Sequence, residues 1–213
     1  MKSVTLLLAL AGIIISAGFA NATEVRITRD LKSVDYTFRG KTYTIQRTQD
    51  PNATIPEFYT KTARECPPFC VEPAEVAPGV RTVAELELLD FLQNYVSKGK
   101  GFLIDARTPD YYQQSTIPGA INLPYSLFVP GADNVFFEPV MQMLGGKKDA
   151  TGEWTFTNTA DLLLFCNGPW CEQSSTAIHN LLAINYPAEK LHWYRGGMQD
   201  WVSMGFNTEV PAN

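Results

Sequence analysis

Histidine is almost missing from this chain, with two in 213 residues, and cysteine is scarce, with four. No two cysteines have the Cys-x-x-Cys spacing of a common zinc site, and His179 and His192 lie apart, so no metal centre is expected. Charged residues make up only 18%, and the formal net charge is -5. Such a surface offers nothing to a polyanion, which argues against nucleic acid as a partner. No internal repeat divides the chain. Past the N-terminus there is no long apolar run, so no membrane span is expected in the mature protein. The 45% hydrophobic and 12% aromatic content is that of an ordinary globular protein.

The N-terminus itself has a recognisable pattern. Lys2 opens a short positive region, Leu6 to Ile15 form an apolar run, and Ala20-Asn21-Ala22 resembles a small-residue cleavage site. Residues 1–22 are therefore expected to be a secretory signal peptide, with the mature chain starting near Thr23 in the periplasm or outside the cell. No cysteine precedes Cys66, which argues against a lipid anchor. Removing Lys2 takes the formal charge from -5 to -6.

Two regions follow. In residues 23–79, Asp35–Phe38 and Tyr43–Gln46 alternate as strands around Arg39-Gly40-Lys41, a hairpin signal. A proline-rich, irregular stretch comes next, carrying Cys66-Pro67-Pro68-Phe69-Cys70. In residues 80–208 the pattern changes to alternating helices and short apolar strands. Thr82 to Glu85 has the spacing of a capping box, with Leu86, Leu89, Leu92 and Val96 on one helical face. Strands are expected at residues 101–105, 120–123, 162–165 and 191–194. Helices are expected after Thr108-Pro109, over 134–144 with a kink at Pro139, over 172–184 and over 197–204. This alternation predicts an α/β fold, a parallel sheet covered by helices on both faces, with a small β-rich N-terminal appendage.

The stretch Leu162-Leu163-Leu164-Phe165-Cys166-Asn167-Gly168-Pro169-Trp170-Cys171 combines an apolar strand with a cysteine at its carboxyl end. Ligands of parallel sheets bind at those ends. A loop from strand to helix presents backbone N–H groups and the positive helix terminus, which lower a thiol's pKa. Gly168 is expected to supply backbone freedom there.

Residues 80–205 resemble a rhodanese domain, the sulfurtransferase fold related to Cdc25 phosphatases. Leu103-Ile104-Asp105-Ala106-Arg107 is similar to the family's Asp-x-Arg strand end. Thr116-Ile117-Pro118-Gly119-Ala120 is similar to its His-Ile-Pro-Gly-Ala motif, with Thr116 in place of histidine. Phe165-Cys166 is similar to the catalytic strand and cysteine, and Gly196-Gly197-Met198-Gln199-Asp200-Trp201 to the closing Gly-Gly-x-x-x-Trp element. The resemblance implies that Cys166 takes the outer sulfur of a donor as a persulfide and passes it to a thiol acceptor, a small molecule or a protein. No cofactor is expected. It also implies that Asn167 to Cys171 form the active-site loop and that Asp105 and Arg107 support it. The loop carries no arginine or lysine and is followed by Glu172, so polysulfide or a persulfide is a better expected donor than thiosulfate. Phosphatase chemistry, which needs an arginine to hold phosphate, is not expected.

Cys171 could attack the Cys166 persulfide or shield it as a disulfide. Trp170 could line an apolar pocket mouth or pack the loop onto the domain. Cys66 and Cys70 could form a local disulfide or exchange with the loop, and three pairings of the cysteines are open. The alternative functions are a thiol–disulfide oxidoreductase using Cys166 and Cys171, and a non-catalytic binding module.

Overall fold

The computed structural model describes residues 24–212; the expected signal peptide lies outside the described residues. Ser33–Phe38 (β1) and Lys41–Gln46 (β2) form an antiparallel hairpin. Its turn is one residue shorter than expected, because Lys41 pairs with Phe38. Arg39 and Gly40 take φ of 49° and 79°, the left-handed pair whose twist matches that of the flanking strands. Glu57–Thr60 (α1) follows.

Arg81–Val83 is strand β3, and this moves the expected capping box. Ala84 takes the cap position, where its N–H donates to the Glu87 carboxylate at 3.2 Å, while the Thr82 hydroxyl donates to the Ala74 carbonyl at 2.7 Å. Thr82 is drawn into the sheet by pairing with Trp193, far downstream, which no local pattern reveals. Glu85–Phe91 (α2) continues through a π turn over Leu92–Val96. Leu89, Leu92 and Val96 are buried as expected, but Leu86 is exposed. It sits in the first turn, at the edge of the apolar stripe.

The chain then alternates: Gly101–Asp105 (β4), Pro109–Gln114 (α3), Ile121–Asn122 (β5) and Phe137–Met143 (α4). The helix expected from Asn134 starts three residues later. The Asn134 side-chain amide instead donates to the carbonyls of Ser126, Leu127 and Val129. Pro139 thus falls in the first turn of α4, where it needs no amide partner and breaks nothing. An unforeseen small hairpin pairs Lys147–Lys148 (β6) with Trp154–Thr155 (β7). Asp161–Phe165 (β8), Gln173–Ala183 (α5), Leu191–Tyr194 (β9) and Gly197–Ser203 (α6) complete the fold.

The five-stranded sheet has the order β3-β9-β8-β4-β5, and every pairing in it is parallel. Because successive strand residues face opposite ways, each strand feeds two cores. Leu103, Leu163 and Phe165 meet α2, Met198 and Trp201 of α6, and the β1–β2 hairpin through Val34, Tyr36 and Ile45. Ile104, Leu162, Leu164 and Trp193 meet α4 and α5 on the other face. The result is an α/β fold with helices on both faces and extra antiparallel strands near the N-terminus. Among the described residues no helix is long and apolar enough to cross a membrane.

Candidate active site

β8 is the middle strand of the sheet, and all its residues are buried. With both faces covered, only the strand ends are open to a ligand, and Cys166 is the first residue past the carboxyl end. The loop turns back with the Cys171 N–H donating to the Gly168 carbonyl at 3.0 Å, then enters α5 at Gln173. From the other side, α6 presents its first amides. Met198 N–H donates to the Cys166 carbonyl at 3.0 Å and Gln199 N–H to that of Asn167 at 2.9 Å. Gly197 is required for this approach: its φ is +55°, and a β-carbon there would lie 2.4 Å from the Cys166 carbonyl oxygen. Gly168 has no left-handed φ. Glycine serves there because a side chain would press on Trp170 and Gln199.

The two thiols sit in different surroundings. The Cys166 thiol donates to the Cys171 carbonyl at 2.9 Å and accepts from the Ser174 hydroxyl at 3.1 Å. Ser174 in turn accepts the Trp193 indole N–H at 3.0 Å. Burial pushes the Cys166 thiol well above its ordinary pKa, and its hydrogen bond to Cys171 adds to the effect. Cys171 is shifted the other way. The neighbouring Cys166 thiol holds it below the ordinary value, and the backbone amides of Asn167 and Gln173 help against burial. A cavity of about 310 Å³ opens beside Cys171, bounded by Phe69, Tyr111, Tyr125, Glu172 and Gln173 among others; Cys166 is not part of its wall.

Asp105 and Arg107 lie at the end of the neighbouring strand β4, fully buried and paired with each other at 2.6 Å. Burial opposes the guanidinium's charge, but the Asp105 carboxylate outweighs it and holds Arg107 above its ordinary pKa. Arg107 also donates to the Ser115 carbonyl at 2.6 Å, the Tyr59 hydroxyl at 3.2 Å and the Asn167 side-chain oxygen at 3.4 Å. Thr116, where the family motif has histidine, donates to Asp105 at 2.7 Å. The pair thus reaches the loop through Asn167, whose amide nitrogen lies 3.9 Å from Cys171 Sγ.

The profile of the rhodanese-like domain family matches residues 88–204. The chain belongs to that family. Solved structures of similar fold include the human single-domain sulfurtransferase TSTD1, 20% identical over 58% of this chain and 96% of that one, with a TM-score of 0.38. The Saccharomyces cerevisiae single-domain sulfurtransferase RDL2 is 18% identical over 59% of this chain and 91% of that one, at 0.40. A Rhodopseudomonas palustris protein of unknown function, described as a possible tyrosine phosphatase, is 14% identical over 63% of this chain and 88% of that one, at 0.45. No curated protein matches the sequence.

Around the loop of this rhodanese-like domain, the proline-rich segment does more than connect. Cys66 and Cys70 are joined in a disulfide with their alpha carbons 4.7 Å apart. The turn between them, with Phe69 N–H donating to the Glu65 carbonyl at 2.9 Å, brings together two cysteines that an extended run would separate. Cys166 and Cys171 are free. Trp170 packs onto the domain: Arg64 lies 3.6 Å above its ring centroid, and Phe58 and Phe69 flank it at 6.0 and 5.6 Å. Its indole N–H donates to the Gln199 side chain. Pro68 and Phe69 contribute to the apolar wall of the cavity. Glu72 N–H binds the Pro169 carbonyl at 2.8 Å, and Arg195 holds the Glu72 and Pro73 carbonyls.

Tyr59, Arg64, Phe69 and Gln199 were not candidates from sequence. The first three lie in an aperiodic stretch, and their contacts with Arg107, Asn167 and Trp170 span 48 to 108 residues of chain. His179 binds the Val76 carbonyl at 3.1 Å, and His192 faces Asp161 at 3.8 Å, so both histidines serve packing.

Proposed function

We propose that the chain is an exported sulfurtransferase that takes a sulfane sulfur as a persulfide in the 166–171 loop, where the strand-end motif points to Cys166, and hands it to a thiol acceptor. The observation that carries this reading is the pair of free thiols, Cys166 and Cys171, at the carboxyl end of the central strand, one of them facing a cavity and held below its ordinary pKa. A thiolate held by amides and a helix terminus attacks divalent sulfur readily.

The donor is a polysulfide or a small persulfide in preference to thiosulfate. No lysine or arginine is in the cavity wall, and Glu172 is. The nearby cations are engaged: Arg107 with Asp105, and Arg64 with the Trp170 ring and the Phe58 carbonyl. A dianion would enter without a partner. Export is supported by the N-terminal pattern of residues 1–22 and by the Cys66–Cys70 disulfide, a bond that persists in oxidising compartments.

The presence of two free thiols in one short loop, with the Cys166 thiol bonded to the Cys171 carbonyl at 2.9 Å, favours a second reading, a dithiol that cycles through a Cys166–Cys171 disulfide. Intact-mass measurement before and after polysulfide treatment separates the two. A gain of one sulfur on the peptide bearing the loop supports transfer, and a loss of two hydrogens alone supports the redox reading. N-terminal sequencing of exported material should start near Thr23; an intact Met1 would overturn export.

A further inference from the structure

We propose that the cavity beside the loop selects the organic group of the sulfur donor, that this group is small and either uncharged or carries an ammonium, and that Glu172 and Phe69 set the preference. This rests on the sulfur-transfer reading and chooses between its two donors: an organic persulfide, R–S–SH, over inorganic polysulfide.

Size is the first ground. A volume of about 310 Å³ is at the lower limit of small-molecule sites, which run from about 300 to 1,000 Å³. Cys171 forms part of the wall, and Cys166 lies just behind it, its thiol 2.9 Å from the Cys171 carbonyl. A donor that delivers its terminal sulfur to Cys166 leaves its organic group in this space.

Wall chemistry is the second. The rings of Phe69, Tyr111 and Tyr125 line the cavity, and aromatic rings attract an ammonium while offering an anion nothing comparable. Among the described residues that bound the cavity, Glu172 alone is charged. It is exposed, makes no capping hydrogen bond to α5, and pairs with no lysine, arginine or histidine among the described residues. Its carboxylate is left to meet a ligand. The amino end of α5 would by itself favour an anion. However, Glu172 directly precedes Gln173, the first residue of that helix, so the chain supplies its own carboxylate there.

The transfer step points the same way. The Cys166 thiolate attacks the terminal sulfur of R–S–SH. The Cys166 Sγ–S bond forms as the donor S–S bond breaks, and RS⁻ leaves with the electron pair to take a proton from water. An acceptor thiolate then removes the same sulfur and restores the Cys166 thiolate, so no oxidant or reductant is needed. Beside Glu172 the charge growing on RS⁻ is repelled unless R itself carries a cation. Inorganic polysulfide, an anion without an organic part, meets the carboxylate and gains nothing from the rings.

The test has two arms on the mature full-length chain, both read by mass on the loop peptide at low salt. In the first, the free thiols are labelled with 2-aminoethyl, 2-hydroxyethyl and 2-sulfonatoethyl methanethiosulfonate. In the second, sulfur is loaded from the persulfides of the same three thiols and from inorganic polysulfide. Each rate is divided by that of free cysteine. The aminoethyl reagent is expected to outrun the sulfonatoethyl one by about tenfold in both arms, the swing that one nearby carboxylate gives two opposite charges in water. The ratio should shrink in about 0.5 M salt. Glu172→Gln should bring it to within about threefold of unity, and Glu172→Lys should invert it. Phe69→Ala should lower the aminoethyl rate against the hydroxyethyl one by about twofold to fivefold, the size of a cation–π contact at an exposed site; an unchanged ratio would remove Phe69 from the assignment. A parent that does not discriminate, or whose discrimination survives Glu172→Gln, would overturn the proposal. Charge selection in labelling, with no sulfur gained from any donor, would sink the transfer reading and leave the cavity's preference standing. Loading from all three persulfides at one rate, or fastest from inorganic polysulfide, would sink the preference and leave transfer standing.

Discussion

Arg107→Ala tests whether the buried ion pair next to the loop is a support or a participant. Arg107 is 1% exposed and Asp105 is fully buried. The substitution removes the guanidinium's bonds to Asp105 at 2.6, 2.9 and 3.2 Å and its contacts with Ser115, Tyr59 and Asn167. The Asp105 carboxylate keeps the Thr116 hydroxyl at 2.7 Å and the backbone N–H of residue 107 at 3.1 Å, but no countercharge. Leaving one member of a buried pair uncompensated costs about 3–5 kcal/mol. For a chain of this size that lowers the melting temperature by roughly 6 to 20 °C. Loading should fall only in part, since Asn167 loses one tether while both thiols remain. The assay is thermal unfolding with single-turnover sulfur loading below the lowered midpoint. Adding Asp105→Asn should recover part of the loss, because a neutral amide needs no countercharge, and this double variant keeps the test usable if the single one unfolds. An Arg107→Ala chain that melts with the parent yet takes up no sulfur would refute the supporting role. One that melts with the parent and loads normally would refute the energetic reasoning.

Two further outcomes are expected. Burial holds His192 below its ordinary pKa of 6.5, against the opposing pull of Asp161. A depressed folded value means that its share of stability is whole above 6.5 and is lost as pH falls through the folded value; melting temperatures from pH 7.5 to 5 should drop more in the parent than in His192→Leu, and equal slopes would be the contrary result. Gly197→Ala puts a β-carbon 2.4 Å from the Cys166 carbonyl at a φ of +55°. It should cost about 1–3 kcal/mol in backbone strain and push the loop off α6, so an unchanged melting point and unchanged loading would show that α6 does not hold the loop.

How much of this was legible in the sequence varies by element, and the reason is the range of the interactions. The buried strands at 101–105, 162–165 and 191–194 and the helix after the loop announce themselves locally, because an apolar run or an apolar stripe is dictated by the periodicity of one element. Where the short-range signal competed with a long-range one, the latter won. Thr82 left its capping box to pair with β9, and Asn134 left its helix to hold three carbonyls.

The loop divides in the same way. Its place at the end of the central strand follows from Phe165-Cys166 and the order of the family's segments, which depend on the chain alone. Which thiol meets the cavity depends on what surrounds them. Cys166 and Cys171 share a short loop and a similar chain environment; the Ser174 hydroxyl bonds the sulfur of the first, while the second faces the Asn167 side-chain amide and the cavity. The wall opposite is supplied by Phe69, inside the Cys66–Cys70 ring. That aromatic lies in a stretch without periodicity, and its contact with Trp170 spans a hundred residues of chain, a relation that only folding creates.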